Sequence, residues 1–111
     1  MSNDLIRVGT VTGTGAAINI SLGWIPDYVK VVNLTDGDTI DEWFRGNGAA
    51  TSIRTVLAVA TNAANGISEY AGTEAGVGKG FTIGSAISES AKVLNWFALR
   101  NDAQPYNKTY P

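Results

Sequence analysis

Residues 28–34 read YVKVVNL and carry the strongest β-strand signal in the sequence. The run is nearly continuous in apolar residues, which is typical of a strand buried on both faces at the centre of a sheet. Pro26 lies just before it, where a residue with a fixed φ and no N–H donor suits the beginning of a strand. Residues 35–38, TDGD, have the composition of a turn, and residues 39–45 read as the antiparallel partner strand.

The segments before this pair predict a β-hairpin. Residues 5–11 are rich in β-branched side chains, and residues 16–22 alternate between aliphatic and polar ones. Residues 13–15, GTG, separate the two segments, and glycine provides the backbone freedom that a short turn needs. We therefore expect residues 5–22 to form two strands that pair with each other.

The second half of the chain predicts further short strands, at residues 67–71, 81–84 and 93–100. Residues 49–65 fit either a strand or a short helix, because helical spacing of aliphatic residues competes with β-branched content and glycine-rich flanks. We favour extended structure slightly and expect any helix of the protein to lie there. Short strands with turns every eight to twelve residues or so are typical of an antiparallel β-sandwich or a jelly-roll-like barrel.

The 111 residues predict a single β-domain, 1–111, with a body at about residues 5–100. Residues 101–111 are polar, contain two prolines and show no periodicity, so we expect an extended C-terminal arm. Tyr106 and Tyr110 in this arm are candidate interface residues, since tyrosine provides contact area at low entropic cost.

Four residues of the predicted strands are expected to contribute to the core: Val29, Val31, Trp96 and Leu99. Trp43 and Phe44 are neighbours in a strand, so their side chains must point to opposite faces. We take both as candidate interface residues, because one of them has to point outward. An alternative use of the aromatic residues, a sugar-stacking platform, would combine Trp24, Trp43, Trp96, Tyr28 and Tyr70.

The composition argues against catalysis. The chain has no Cys and no His, which removes thiol nucleophiles, most zinc sites and the commonest general base. Residues 76–80, GVGKG, lack the spacing and the hydroxyl residue of a phosphate-binding loop. The acidic cluster at residues 36–42 has Ile40 where a calcium loop needs an oxygen ligand, so we expect a solvated hairpin tip. We predict no catalytic residues, no cofactor and no metal site.

The charge pattern limits the classes of partner that the protein is expected to bind. The net charge is −2 and only 16% of the residues are charged, against about 25% in an average domain. Such a surface suits contact with protein, whereas nucleic acid requires a basic patch that this sequence lacks. No apolar run approaches the length of a membrane span, and the first residues do not resemble a signal peptide. We therefore expect synthesis in the cytoplasm and no nucleic-acid or membrane partner.

Two stretches resemble a known group of proteins. The first is residues 23–33, GWIPDYVKVVN, and the second joins residues 80–84, GFTIG, to residues 93–100, VLNWFALR. Together they resemble small β-domains in virion proteins of tailed bacteriophages, namely head decoration or cement proteins and modules of tail or head fibres. The similarity covers most of residues 23–100 and rests on strand and turn motifs, not on catalytic ones.

The resemblance implies a structural role in the virion. It implies a capsid decoration or cement subunit that binds the major capsid protein lattice and stabilises the assembled head, at the capsid surface. Such proteins act as oligomers at symmetry axes, and a homotrimer is favoured. The alternative is a receptor- or glycan-binding module of a tail or head fibre. The sequence carries no long fibre shaft, no coiled coil and no peptidase domain, which favours decoration.

Overall fold

The computed structural model describes residues 5–37, 39–47, 50–55, 59–62, 65–72 and 78–101. Within these ranges the backbone forms nine β-strands and one 3₁₀ turn, Arg45–Asn47. The strands are β1 (Ile6–Thr12), β2 (Ile18–Ser21), β3 (Tyr28–Asn33), β4 (Thr39–Phe44), β5 (Ser52–Thr55), β6 (Val59–Asn62), β7 (Ile67–Tyr70), β8 (Gly80–Ile83) and β9 (Val93–Leu99). The predicted all-β class is confirmed.

The strands form two antiparallel sheets that pack face to face in a sandwich-like arrangement. The larger sheet has the order β1-β9-β3-β4-β5-β6, and the smaller sheet has the order β2-β8-β7. β3 lies inside the larger sheet between β9 and β4, so its predicted central position is confirmed. In the described part of the chain neither sheet closes on itself, so the sandwich was the correct alternative and the barrel is not formed.

The core lies between the sheets and uses one face of each. Directly paired residues of an antiparallel ladder share a face. Val29 pairs with Trp43 on one side and with Ala98 on the other, so a row of apolar side chains crosses the larger sheet. The buried apolar residues of the described chain are Leu22, Trp24, Val29, Val31, Trp43, Ile67, Phe81, Ile83, Ile87, Leu94 and Ala98.

Three of the four predicted core residues face the smaller sheet. Val29 and Val31 are fully buried, and Trp96 is partly buried against the core with its ring 5.5 Å from that of Phe81 in an edge-on contact. The indole of Trp96 covers Gly9, where a Cβ would overlap the ring. The absence of a side chain at Gly9 therefore makes room for the tryptophan.

Leu99 is the predicted core residue that the structure places elsewhere. It is half-buried and pairs with Ile6 and Tyr28 on the side of the sheet that faces away from the core. Alternation along β9 directs Ala98 inward, so the next residue must point outward. The prediction of Leu99 as a core residue is wrong.

The hairpin predicted at residues 5–22 is also wrong. β1 pairs with β9, whereas β2 pairs with β8 in the other sheet, so the chain crosses the sandwich between them. The crossing occurs at Gly13, which is buried and donates its N–H to the carbonyl of Lys92 at 2.8 Å. Consecutive strands often pair, but here each finds its partner in a distant segment.

In the remaining segments the structure agrees with the sequence-based prediction except in one detail. Residues 49–65 contain β5 and β6, so the slightly favoured extended structure is correct for the part that is described. The described helical turn lies at Arg45–Asn47, just before this segment and not within it. The glycine loop at residues 76–80 is described only in its second half, and residues 102–111 of the predicted arm lie outside the described residues.

Gly13→Ala is expected to lower the free energy of unfolding by about 1–3 kcal/mol. A Cβ at this position would overlap the carbonyl oxygen of Glu89, which is backbone and cannot rotate away. Urea unfolding followed by tryptophan fluorescence measures the loss. Gly46→Ala is the matched control, because no atom lies within 4 Å of a Cβ built there. Equal stability of the two variants would contradict the clash.

Candidate functional site

The two sheets differ in the side chains that they turn to solvent. The outer side of the smaller sheet is polar, with Asn19, Ser21, Ser68, Tyr70 and Thr82. The corresponding side of the larger sheet, here called the outer face, is mainly apolar. Its apolar residues in the described chain are Ile6, Val8, Tyr28, Val32, Ile40, Phe44, Ile53, Val93, Phe97 and Leu99.

Several apolar side chains of the outer face are strongly exposed. Val8 is 67% exposed, Ile6 is 56% exposed and Phe44 is 45% exposed. Single exposed apolar residues are ordinary on protein surfaces, but these lie on one face of one sheet. A contiguous exposed apolar patch marks a surface that another molecule covers. The outer face is therefore the candidate functional site.

An aromatic cluster occupies one end of the outer face. The ring of Tyr28 lies 5.0 Å from that of Phe44 and 6.3 Å from that of Phe97, centroid to centroid. The Tyr28 hydroxyl donates a hydrogen bond to Oε2 of Glu42 at 2.6 Å. Burial of the ring, together with this hydrogen bond and the negative charge of Glu42, raises the pKa of Tyr28 to about 12. The hydroxyl therefore stays protonated and keeps donating at neutral pH.

A shallow depression of about 280 Å³ lies on the outer face over β1, β9 and β3. The Thr10 hydroxyl donates to Oδ1 of Asn95 at 2.8 Å, so the amide N–H groups of Asn95 remain for other acceptors. Lys30 also borders the depression. Val8, Val32 and Phe97 form its apolar part. Donors among apolar walls suit a partner side chain that ends in a carbonyl or carboxylate.

The acidic cluster at residues 36–42 does not form one site. Asp36 is at the hairpin tip, where its carboxylate contacts Nζ of Lys92 at 3.1 Å. Asp41 was expected at a solvated tip but is fully buried, because alternation along β4 directs it toward the smaller sheet. Asp38 lies outside the described residues. Among the residues that the structure describes, no three potential metal ligands of the acidic, His or Cys type come together.

Asp41 is instead the centre of a buried polar network. Its Oδ1 accepts a hydrogen bond from Nε of Arg54 at 2.9 Å, and its Oδ2 accepts one from the hydroxyl of Ser52 at 2.9 Å. Arg54 also donates through Nη2 to the carbonyl of Ala86 at 2.9 Å. The network connects β4 and β5 to the turn after β8, and its geometry is that of a structural ion pair.

The predicted interface residues separate into three groups. Phe44 lies on the outer face and is exposed. Trp43 is fully buried in the core, so its prediction as an interface residue is wrong. Tyr106 and Tyr110 lie outside the described residues. Neighbours in a strand alternate in direction, and the sequence could not show which of Trp43 and Phe44 would point inward.

The tryptophans do not form a sugar-stacking platform. Trp24 is 4% exposed, with the guanidinium of Arg100 lying 5.1 Å from the centre of its ring. Trp43 is buried, and Trp96 packs against the inner side of the larger sheet. All three therefore contribute packing between the sheets.

Sequence reasoning missed the outer-face residues of the first and last strands, chiefly Ile6, Val8 and Phe97. A signal for them was present in β9, VLNWFAL, which is apolar at both odd and even positions. When the inner positions are already apolar, the other set must face outward or meet a further layer. In the described chain no further layer covers it.

Comparison with known proteins adds no identification. No protein-family model matches the sequence, and neither a curated protein nor a solved structure matches the chain.

Within the described ranges, none of the helical structure has the length and apolar character that crossing a bilayer would require.

The raised pKa of Tyr28, caused first by burial and then by the contact with Glu42, predicts a loss of stability at alkaline pH. In the unfolded chain a tyrosine ionises near its ordinary pKa of about 10, whereas folded Tyr28 ionises at about 12. The folded state therefore holds this proton more tightly. The resulting stabilisation is present below about pH 10 and is lost as the pH rises through the folded value. Tyrosinate absorbance should show a late step that disappears in Tyr28→Phe, and a curve unchanged by the substitution would refute the assignment.

Asp41→Ala is expected to lower the free energy of unfolding by about 3 kcal/mol, because it leaves the guanidinium of Arg54 without its carboxylate. Asp36→Ala is the matched control, since it removes the same group from the partly exposed pair with Lys92 and from a hydrogen bond with the Asn33 amide, and it should cost about 1 kcal/mol. Urea unfolding measures both. Similar losses in the two variants would show that burial of Asp41 does not matter.

Proposed function

We propose that this protein is a structural virion protein, a capsid decoration or cement subunit that binds the assembled phage head and stabilises it without catalysis. The observation that carries the proposal is the apolar outer face of the larger sheet. The phage-like motifs at residues 23–33 and 80–100 supply the context. The partner would be the major capsid protein lattice, and the protein would act as a homo-oligomer at the capsid surface.

The chemistry of the outer face favours a protein partner. Lys30 and Glu42 are the charged residues on it in the described chain, so the face has no excess of either sign. Nucleic acid would require a basic patch, because phosphate contacts dominate such binding. Exposed Val8, Ile6 and Phe44 offer apolar area, and aromatic residues are enriched at protein interfaces. A sheet also presents this area on a rigid support, which lowers the entropic cost of binding.

The alternative proposal is a receptor- or glycan-binding module of a tail or head fibre. The aromatic cluster of Tyr28, Phe44 and Phe97 is the observation that favours it, since exposed rings can stack on sugars. Quantitative mass spectrometry of purified particles separates the two proposals. A copy number comparable with that of the major capsid protein supports decoration, whereas a few copies per particle support a fibre.

Phe44→Glu is expected to abolish binding to capsids while the protein stays folded, because it places a charge in the outer face at a side chain that is already 45% exposed. Leu34→Glu is the matched control, since Leu34 is 50% exposed but lies in the turn after β3. Co-sedimentation with undecorated capsids measures binding, and circular dichroism checks the fold. If Phe44→Glu binds as well as Leu34→Glu, the outer face is not the capsid-binding surface.

A further inference from the structure

The first strand forms an open edge of the larger sheet. β1 has seven residues and pairs with β9 along its whole length. On its other side, no strand of the described chain lies against it. A long open edge presents unpaired N–H and C=O groups, which form a template for another strand.

The hydrogen bonds at the two ends of β1 show which groups face the open edge. The N–H of Arg100 donates to the carbonyl of Leu5, and the N–H of Gly13 donates to the carbonyl of Lys92. Hydrogen-bonded pairs alternate along an antiparallel ladder, so the odd-numbered residues of β1 bond to β9. The residues that direct both backbone groups to the open edge are therefore Ile6, Val8, Thr10 and Thr12.

Arg7 is the one protective charge on this edge, and β1 contains no proline. Proteins protect such edges with lysine or other charges, including charges that point inward, with proline, or with bulges. Arg7 is the charged residue of β1, and its guanidinium is directed to the carbonyl of Leu22 at 3.2 Å, on the core side of the sheet. The side chains beside the open groups include Val8 and Ile6, two of the most exposed apolar residues of the described chain.

We propose that β1 pairs with β1 of a second copy of this chain, antiparallel, around a two-fold axis at Gly9. In this register Ile6 lies opposite Thr12 of the second copy, and Val8 lies opposite Thr10. All the outward-facing N–H and C=O groups of both strands are then paired. A shift by two residues in either direction leaves a strand end unpaired, so the register centred on Gly9 is the one that uses the whole edge.

A second copy fits this edge better than an unrelated strand for two reasons. Every strand pair of the described sheets is antiparallel, and a two-fold axis produces that direction without further adjustment. The axis also places Arg7 opposite Val11 of the second copy and pairs only uncharged residues elsewhere along β1, so no two like charges meet across the contact. The joined sheets form one continuous outer face. This contact makes a dimer, in place of the trimer that the phage resemblance implies.

Thr10→Pro tests the pairing directly. The N–H of Thr10 faces the open edge, so proline removes an intermolecular donor without removing a hydrogen bond to β9. Each dimer loses two hydrogen bonds, one from each copy, and we expect the dissociation constant to rise by about 30-fold. Thr10→Ala is the matched control, because it also loses the side-chain bond to Asn95 but keeps the backbone donor. Sedimentation equilibrium up to about 1 mM protein measures the association.

A second variant and a second measurement distinguish loss of pairing from loss of folding. Val8→Lys changes a side chain that is 67% exposed, so the monomer should fold, and the added charges should oppose pairing at the axis. Hydrogen exchange should show slow amides at Ile6, Val8, Thr10 and Thr12 in the dimer and fast ones in the Val8→Lys monomer. A monomer at all concentrations, a trimer, or a dimer with fast β1 amides would each overturn the proposal. None of these outcomes depends on whether the protein binds capsids.

Discussion

The pairing of β9 with both β1 and β3 is the contact on which the larger sheet depends. β9 matches seven residues of β1 and six of β3 in continuous register, so a strand from the end of the described chain lies between two from its beginning. Trp96 from this strand covers Gly9 and contacts Phe81 of the smaller sheet. The core can therefore form only when distant segments meet. Bringing such segments together costs chain entropy, because long loops must close before the strands can pair.

The two outer surfaces of the sandwich differ in polarity. On the smaller sheet, the hydroxyl of Thr82 donates to Oδ1 of Asn19 at 2.7 Å, and polar groups face water. On the larger sheet, rows of aliphatic and aromatic side chains face outward, with Lys30 and Glu42 among them. Water-exposed apolar area of this kind is a cost to an isolated monomer that a protein partner removes. The asymmetry therefore supports an assembly role more directly than any single residue does.

Buried polar groups also help to fix the register of the strands. Asp41 is fully buried and meets Arg54 and Ser52 within hydrogen-bonding distance, in a position between β4, β5 and the turn that carries Ala86. A buried carboxylate is tolerated only where its partners are in place, so this network penalises alternative strand registers. The same register keeps Phe44 on the outer face and Trp43 in the core.

The sequence by itself determined the all-β class, the central place of residues 28–34 and the turn that joins β3 to β4, because these follow from local alternation and turn chemistry. It also indicated that Val29 and Val31 are core residues, and that one of Trp43 and Phe44 must point outward. Only the tertiary structure decided that Phe44, and not Trp43, points outward. It also decided that β1 and β2 belong to different sheets and that Leu99 faces outward. Alternation gives two faces to every strand, but which face is buried depends on the sheet that packs against it. The outer face itself combines residues of the consecutive strands β3, β4 and β5 with residues of β1 and β9 from the two ends of the described chain, so it exists only after those strands have paired.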